Sequence, residues 1–235
     1  MDKQLATLAE AVADIPDGAT IMIGGFGGSG GPVELVHALI DQGARDLTII
    51  NNNAGAGAVG IAALLDQGQV RKVICSYPRT SDPRAFNARY RTGEVELDIV
   101  PQGTLAERIR AGGAGVPAFY TPTSVGTELA EGKPTATFDG RDYVQERWLK
   151  ADYALLKARE ADNHGNLTYN LAARNFSPVM ATAANVTIVQ AESVVPLGGI
   201  HPEQVVTPGI YVDRVVHVPD AAQEEVLVQQ GARYP

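Results

Sequence analysis

The sequence predicts an α/β protein: a mostly parallel sheet flanked by helices, with some added antiparallel strands. Three observations carry that prediction. Short β-branched runs begin near residues 20, 47, 72 and 95, about 25 residues apart, the spacing of strand–helix–strand units. Patterns with helical period fill the intervals between them. A second set of strand-like runs, at 153–157, 186–190 and 215–218, extends the sheet. Between the first two of these, Asp162-Asn163-His164-Gly165-Asn166 is a turn signal expected to close a hairpin. We expect one domain over residues 1–235, with 219–235 as a C-terminal tail carrying a short, partly exposed helix.

Each element has a local reason. Leu5, Leu8, Ala9 and Val12 recur at i, i+3, i+4 and i+7, which predicts a first amphipathic helix. Asp17-Gly18 turns the chain into Thr20-Ile21-Met22-Ile23, a buried strand. Pro32 sits where a first helical residue is expected, Val33, Leu35, Val36, Leu39 and Ile40 continue a helix, and Gly43 is placed to cap it. Strands follow at 47–50, 72–75 and 95–100, with helices at 59–67 and about 83–90. Residues 105–110 are helical, and the seventeen uncharged residues 111–127 read as a long structured loop.

Composition excludes several classes. The chain has 235 residues and a net charge of −8, without the basic patch of a nucleic-acid binder. The uncharged stretch 47–65 is interrupted by three Asn and three Gly, which argues against a membrane span. A single cysteine, Cys75, permits no internal disulfide and reads as a small core residue. The N-terminus lacks a basic, then apolar leader, so a cytoplasmic location is expected. His37, His164, His201 and His217 have no metal-ligand spacing, and no metal site is expected. His37 reads as a packing residue and Glu34 as a helix-start charge.

The 25 glycines concentrate in three places. The first is Gly24-Gly25-Phe26-Gly27-Gly28-Ser29-Gly30-Gly31, between a strand and a helix. Glycine there lets the backbone approach a phosphate or oxyanion, and the following helix N-terminus offers N–H groups. It contains Gly25-x-Gly27-x-x-Gly30, the weak dinucleotide fingerprint, yet Asn51-Asn52-Asn53 stands where that fingerprint wants an acidic residue. A tight strand–helix turn remains the alternative. The second is Asn51-Asn52-Asn53-Ala54-Gly55-Ala56-Gly57, and the third is Pro101-Gln102-Gly103-Thr104 together with 111–122. All three are expected to converge on one sheet edge, where α/β proteins bind ligands. No elbow, acid–His pair or anchored nucleophile accompanies them, so the site reads as built for anions but lacking a group for covalent chemistry.

These residues resemble the A subunit of the class I 3-oxoacid CoA-transferases. The resemblance runs through Gly24-Gly25-Phe26-Gly27, Asn52-Asn53-Ala54-Gly55, the unusual run from Pro101 to Gly115, residues 158–169, Ala173-Arg174-Asn175-Phe176 and Thr207-Pro208-Gly209-Ile210-Tyr211-Val212. The run Cys75-Ser76-Tyr77-Pro78-Arg79-Thr80-Ser81-Asp82 is similar to the branch that acts on 3-oxoadipate; relatives acting on acetoacetate share most of the other motifs.

The resemblance implies transfer of CoA from succinyl-CoA to a 3-oxoacid through a glutamate nucleophile. In the family that glutamate lies in a Ser-Glu-Asn-Gly motif of the B subunit, whereas Glu-Asn-Gly does not occur in this chain. No catalytic residue is therefore assigned here, and activity is expected only in a hetero-oligomer, of A2B2 type, with a B subunit. By resemblance Gly24, Gly25, Phe26, Gly27, Gly28, Ser29 and Gly30 form a CoA-binding loop, and Asn52, Asn53 and Gln102 line the substrate pocket as neutral donors. Coenzyme A thioesters enter as substrates and no separate cofactor is expected. A nicotinamide-dependent oxidoreductase and a non-enzymatic acyl-CoA sensor are the rival readings.

Overall fold

The computed structural model describes residues 2–235. Four parallel strands, β2 (Thr20–Ile23), β3 (Leu47–Ile50), β4 (Val70–Cys75) and β5 (Glu96–Ile99), form half of the main sheet in that order. On the other side of β2 lie β9 (Ala151–Asp162), β11 (Ala184–Val195), β12 (Arg214–His217) and β1 (Gln4–Leu5), also parallel. The sequence order thus reverses at β2, which pairs with β3 on one side and β9 on the other. Such a switch point opens a crevice at the carboxyl ends of the strands.

Burial explains why these runs are strands. Ile21 and Ile23 face one core while Met22 faces the other, the period-two alternation of a strand covered on both faces. The first face is covered by α1 (Leu8–Val12), α2 (Val33–Gln42), α3 (Gly60–Asp66) and α4 (Arg84–Arg91) through Val12, Leu35, Leu39, Leu64, Leu65 and Phe86. The second is covered by α5 (Gln102–Ala114) and α6 (Ser177–Ala183) through Leu105, Ile109 and Met180. Gly43 caps α2 in the left-handed region (φ 92°), and its N–H donates to the Leu39 carbonyl. The turn signal at 162–166 closes the expected hairpin: β10 (Leu167–Thr168) pairs antiparallel with β9.

Three sequence expectations are corrected. The first helix starts at Leu8, because Gln4–Leu5 is taken as the edge strand β1 beside β12. The stretch 111–127 is not one long loop. Its first residues complete α5, and Ala118–Thr121 is β6 of a second, antiparallel sheet in which β8 (Arg141–Arg147) lies between β6 and β7 (Thr135–Phe138). Gly112 and Gly113 serve packing rather than binding. A Cβ on Gly112 would stand 2.2 Å from the Leu149 carbonyl oxygen, and one on Gly113 would stand 2.0 Å from Thr182 Oγ1, so only glycine lets α5 approach the segment before β9 and α6 this closely. The small sheet is tied to the body by buried Glu146, which receives Lys133 Nζ at 2.5 Å and faces Arg108 Nε at 3.9 Å.

Candidate functional site

The carboxyl ends of β2, β3 and β5 carry the glycine loop (24–31), the asparagine loop (51–57) and Gln102 to one edge of the sheet. Contacts join them directly: Asn53 Nδ2 donates to the Gly27 carbonyl at 3.4 Å, and Gln102 Nε2 donates to Asn52 Oδ1 at 2.9 Å. The convergence expected from sequence is therefore present for two glycine concentrations and for the Pro101–Thr104 end of the third.

The glycine loop is a small hairpin whose amides divide into two groups. Gly24 N–H donates to the Leu155 carbonyl, Phe26 and Ser29 exchange backbone hydrogen bonds, and Gly25 N–H donates to Asn175 Oδ1 at 3.1 Å. Gly27, Gly28, Gly30 and Gly31 carry N–H groups with no partner among the described residues. Of these, Gly27 and Gly28 border the larger cavity, whereas Gly30 and Gly31 are buried against Ala173 and Glu224. Phe26 projects from the tip with 46% of its surface exposed. Gly30 sits at φ 77°, and a Cβ there would meet the Ala173 carbonyl oxygen at 2.5 Å.

The three asparagines take different jobs. Asn51, buried, donates through Nδ2 to the Ile23 carbonyl at 2.6 Å and accepts from Asn53 N at 2.8 Å, linking β2 to β3 at the loop's base. Asn53 Oδ1 accepts from Gly55 N at 2.7 Å, and Asn53 borders the cavity beside the glycine loop. Asn52 is fully buried and does not face that cavity; its Oδ1 also accepts from Ser76 Oγ at 2.8 Å, and its Nδ2 has no acceptor. Its place is behind the exposed Gln102, which it orients.

Two residues that the sequence reading passed over shape the site. Asn175 lies in the left-handed region at φ 24°, a strained position for a non-glycine residue. Its amide clamps the glycine loop from both ends: Oδ1 accepts from Gly25, while Nδ2 donates to the Ser29 carbonyl at 3.1 Å. The only sequence signal was its place in the Ala173–Phe176 motif. The second is Glu224, which begins helix α7 (Glu224–Gln229) in the tail. Its carboxyl lies against Gly31 and Gly60 in a slot walled by Gly24, Gly25, Gly27 and Asn51, leaving about 10 Å³, room for about one water. Burial without a partner pushes its pKa up to about 7.

The tail is fastened on both sides of Glu224. Ala222 N donates to Glu34 Oε1 at 2.5 Å and its carbonyl accepts from Lys157 Nζ at 3.1 Å. Beyond α7, Tyr234 N donates to the Ala58 carbonyl at 2.8 Å, its hydroxyl bonds Asp41, and its ring meets the edge of His37. Glu34 therefore holds the tail and Gln190 rather than merely marking a helix start. His37 accepts from Gly60 N at 3.0 Å, as a satisfied packing residue should. Between the glycine loop, residues 77–81 and α7 a larger cavity of about 580 Å³ stays open, in the size range of small-molecule sites. Cys75 is buried and its thiol is pushed up to about 12 by desolvation, which suits a core residue and not a nucleophile.

Residues 5–218 match the family model described as Coenzyme A transferase. The chain belongs to that family. As a coenzyme A transferase it is 58% identical over 218 residues (93% of this chain, 96% of the relative) to the A subunit of the 3-oxoadipate CoA-transferase of Acinetobacter baylyi. It is 50% identical over 228 residues (96% of this chain, 92% of the relative) to the A subunit of the succinyl-CoA:3-ketoacid coenzyme A transferase of Xanthomonas campestris pv. campestris. Its fold superposes on the solved apoenzyme of an acyl-CoA transferase from Escherichia coli O157:H7 with TM-score 0.81 and 26% identity. That match covers 94% of this chain, which spans about half, 48%, of the solved enzyme. Family membership decides against the dinucleotide reading of Gly25-x-Gly27-x-x-Gly30. Among the described residues no helix is long and apolar enough to cross a membrane, and no cluster of His, Cys, Asp or Glu is arranged to hold a metal ion.

Proposed function

We propose that this coenzyme A transferase is the A subunit of an enzyme that moves CoA from succinyl-CoA to 3-oxoadipate, with the glutamate nucleophile supplied by a B subunit. One observation carries the half-site reading. The sheet edge holds four unpaired glycine amides, Asn53 and Gln102, all neutral donors, but no anchored nucleophile. The Glu224 carboxyl lies against Gly31 of the loop, and it has no hydrogen-bond partner to aim it, unlike an activated nucleophile. The chain's match to about half, 48%, of the chain of a solved acyl-CoA transferase supports the same reading.

In the proposed sequence the partner's glutamate carboxylate attacks the thioester carbonyl of succinyl-CoA, and the C–S bond breaks to release CoA thiolate and leave a mixed anhydride. The thiolate attacks the glutamyl carbonyl, expels succinate and forms a glutamyl-CoA thioester. The carboxylate of 3-oxoadipate then attacks that thioester, and the released thiolate takes the acyl group, restoring the glutamate. Each addition places negative charge on a carbonyl oxygen. The role of this chain is to meet that charge with the backbone N–H groups of Gly27 and Gly28 and with the side-chain amides of Asn53 and Gln102. Neutral donors suit the task because they stabilise a transient oxyanion without binding the ground-state carboxylate as tightly as a cation would.

The assembly is proposed as A2B2 and its location as cytoplasmic. The test is to mix the purified chain with a partner carrying Ser-Glu-Asn-Gly and to follow 3-oxoadipyl-CoA formed from succinyl-CoA, with acetoacetate as parallel acceptor. Turnover on 3-oxoadipate only in the mixture is expected. Turnover on acetoacetate alone would transfer the substrate assignment to the acetoacetate branch.

A further inference from the structure

The 580 Å³ cavity beside the glycine loop is bordered by Phe26, Asn53, Tyr77, Thr80 and α7, and it contains one cationic side chain, Arg79. Arg79 is exposed and makes neither an ion pair nor a hydrogen bond among the described residues. The nearest acid in sequence, Asp82, three residues on, is engaged by Arg84 through two contacts of 2.7 Å. The other charged groups on the cavity are Glu224 and Glu225 of the tail, on the opposite wall, and neither lies within ion-pair distance of Arg79.

The segment carrying Arg79 is held in place from below. Ser76 Oγ donates to the Asn52 carbonyl at 2.9 Å, Tyr77 forms a parallel bridge with Asn53, Thr80 Oγ1 donates to the Gly55 carbonyl at 2.8 Å, and Gly57 N donates to the Asp82 carbonyl at 3.0 Å. A free guanidinium thus stands on a braced segment and faces a cavity continuous with the oxyanion donors. Only one carboxyl of 3-oxoadipate becomes a thioester; the second stays charged throughout the reaction. Acetoacetate has no second carboxyl.

We infer that Arg79 is the specificity-determining group that binds the free carboxylate of a dicarboxylic acyl group. The inference rests on the proposed transferase reading. A guanidinium–carboxylate pair of this type is two-pronged and charge-assisted, and its loss changes affinity about ten- to hundredfold. Arg79 could instead meet a phosphate of CoA, an anion of the same kind, and the experiment separates the two.

The test uses the chain assembled with its B subunit. It measures kcat/KM for 3-oxoadipate and for acetoacetate at saturating succinyl-CoA, in wild type, Arg79→Gln and Arg79→Lys. The expected result is a ratio of 3-oxoadipate to acetoacetate efficiency that falls at least tenfold in Arg79→Gln and is partly rescued in Arg79→Lys. The loss should fall mainly on KM, and thermal unfolding of the variant chain should match wild type, since the side chain has no intrachain partner. An unchanged ratio overturns the inference, as does an equal loss for both acceptors, which would assign Arg79 to CoA. A wild-type complex that does not use 3-oxoadipate would instead overturn the 3-oxoadipate assignment beneath it, and that result is visible before any variant is made.

Discussion

The glycine loop and the C-terminal tail meet at the same sheet edge but are built on opposite principles. The loop, residues 24–31, is fixed by its own backbone and by the side chains of Asn175, Asn53 and Asn51, and it keeps four amides unpaired. The tail, residues 219–235, has little core of its own and is held by distant groups: Glu34, Lys157, Ala58, Asp41 and His37. Where they touch, glycine makes room: a Cβ on Gly28 would stand 2.6 Å from Glu225 Cβ. The same glycines that are proposed to admit an anion thus also allow close packing of the tail. A glycine-rich loop is not evidence for a ligand by its composition alone; the proposed chemistry rests on the unpaired amides.

Substitution at Gly30 breaks the loop side of this comparison most severely. Gly30→Ala combines a left-handed backbone with a Cβ driven against the Ala173 carbonyl, and should destabilise the chain by about 2–4 kcal/mol. Gly27→Ala has a similar φ, 60°, but open space around its Cβ, so it should cost only about 1 kcal/mol. Denaturant titration of both variants measures the difference; equal losses would show that Asn175 and residue 173 do not brace the loop.

A smaller effect sharpens the tail side. Glu224 holds its proton to about pH 7 in the folded chain, against an ordinary value of 4.5. Its folded pKa is raised, so its contribution is fully present below the ordinary value and is lost as pH rises through about 7. Between about pH 5 and about pH 8 the wild type should lose about 1–2 kcal/mol more stability than Glu224→Gln, which does not titrate. Parallel pH profiles for the two proteins would mean that the carboxyl is not enclosed by residues 31 and 60.

What could be read from the sequence follows the range of the forces involved. β2 and β3 were legible to the residue because β-branched runs between turn signals need no distant information. Helix α2 was legible through its apolar period and Gly43. The second sheet was not: Thr135–Phe138 and Arg141–Arg147 are short and largely exposed or charged, and the uncharged stretch before them resembles a loop. At the candidate site, the glycine loop and the asparagine loop were legible from their glycines and their place after strands, whereas Gln102 was singled out by the family resemblance. Asn52 is buried behind Gln102, a position that nothing local distinguishes among three consecutive asparagines. Asn175 and Glu224 act across about 150 and 190 residues of chain respectively, and no period or propensity carries such information.

The proposed division of labour puts the oxyanion donors of the transferase on this chain and the nucleophile on its partner. The most direct measurement is to incubate the assembled complex with succinyl-CoA in the absence of acceptor, then map covalent CoA by peptide mass spectrometry. The predicted result is a CoA thioester on a glutamate of the B subunit, with none on this chain. A CoA adduct on a carboxyl of this chain, Glu224 above all, would contradict it.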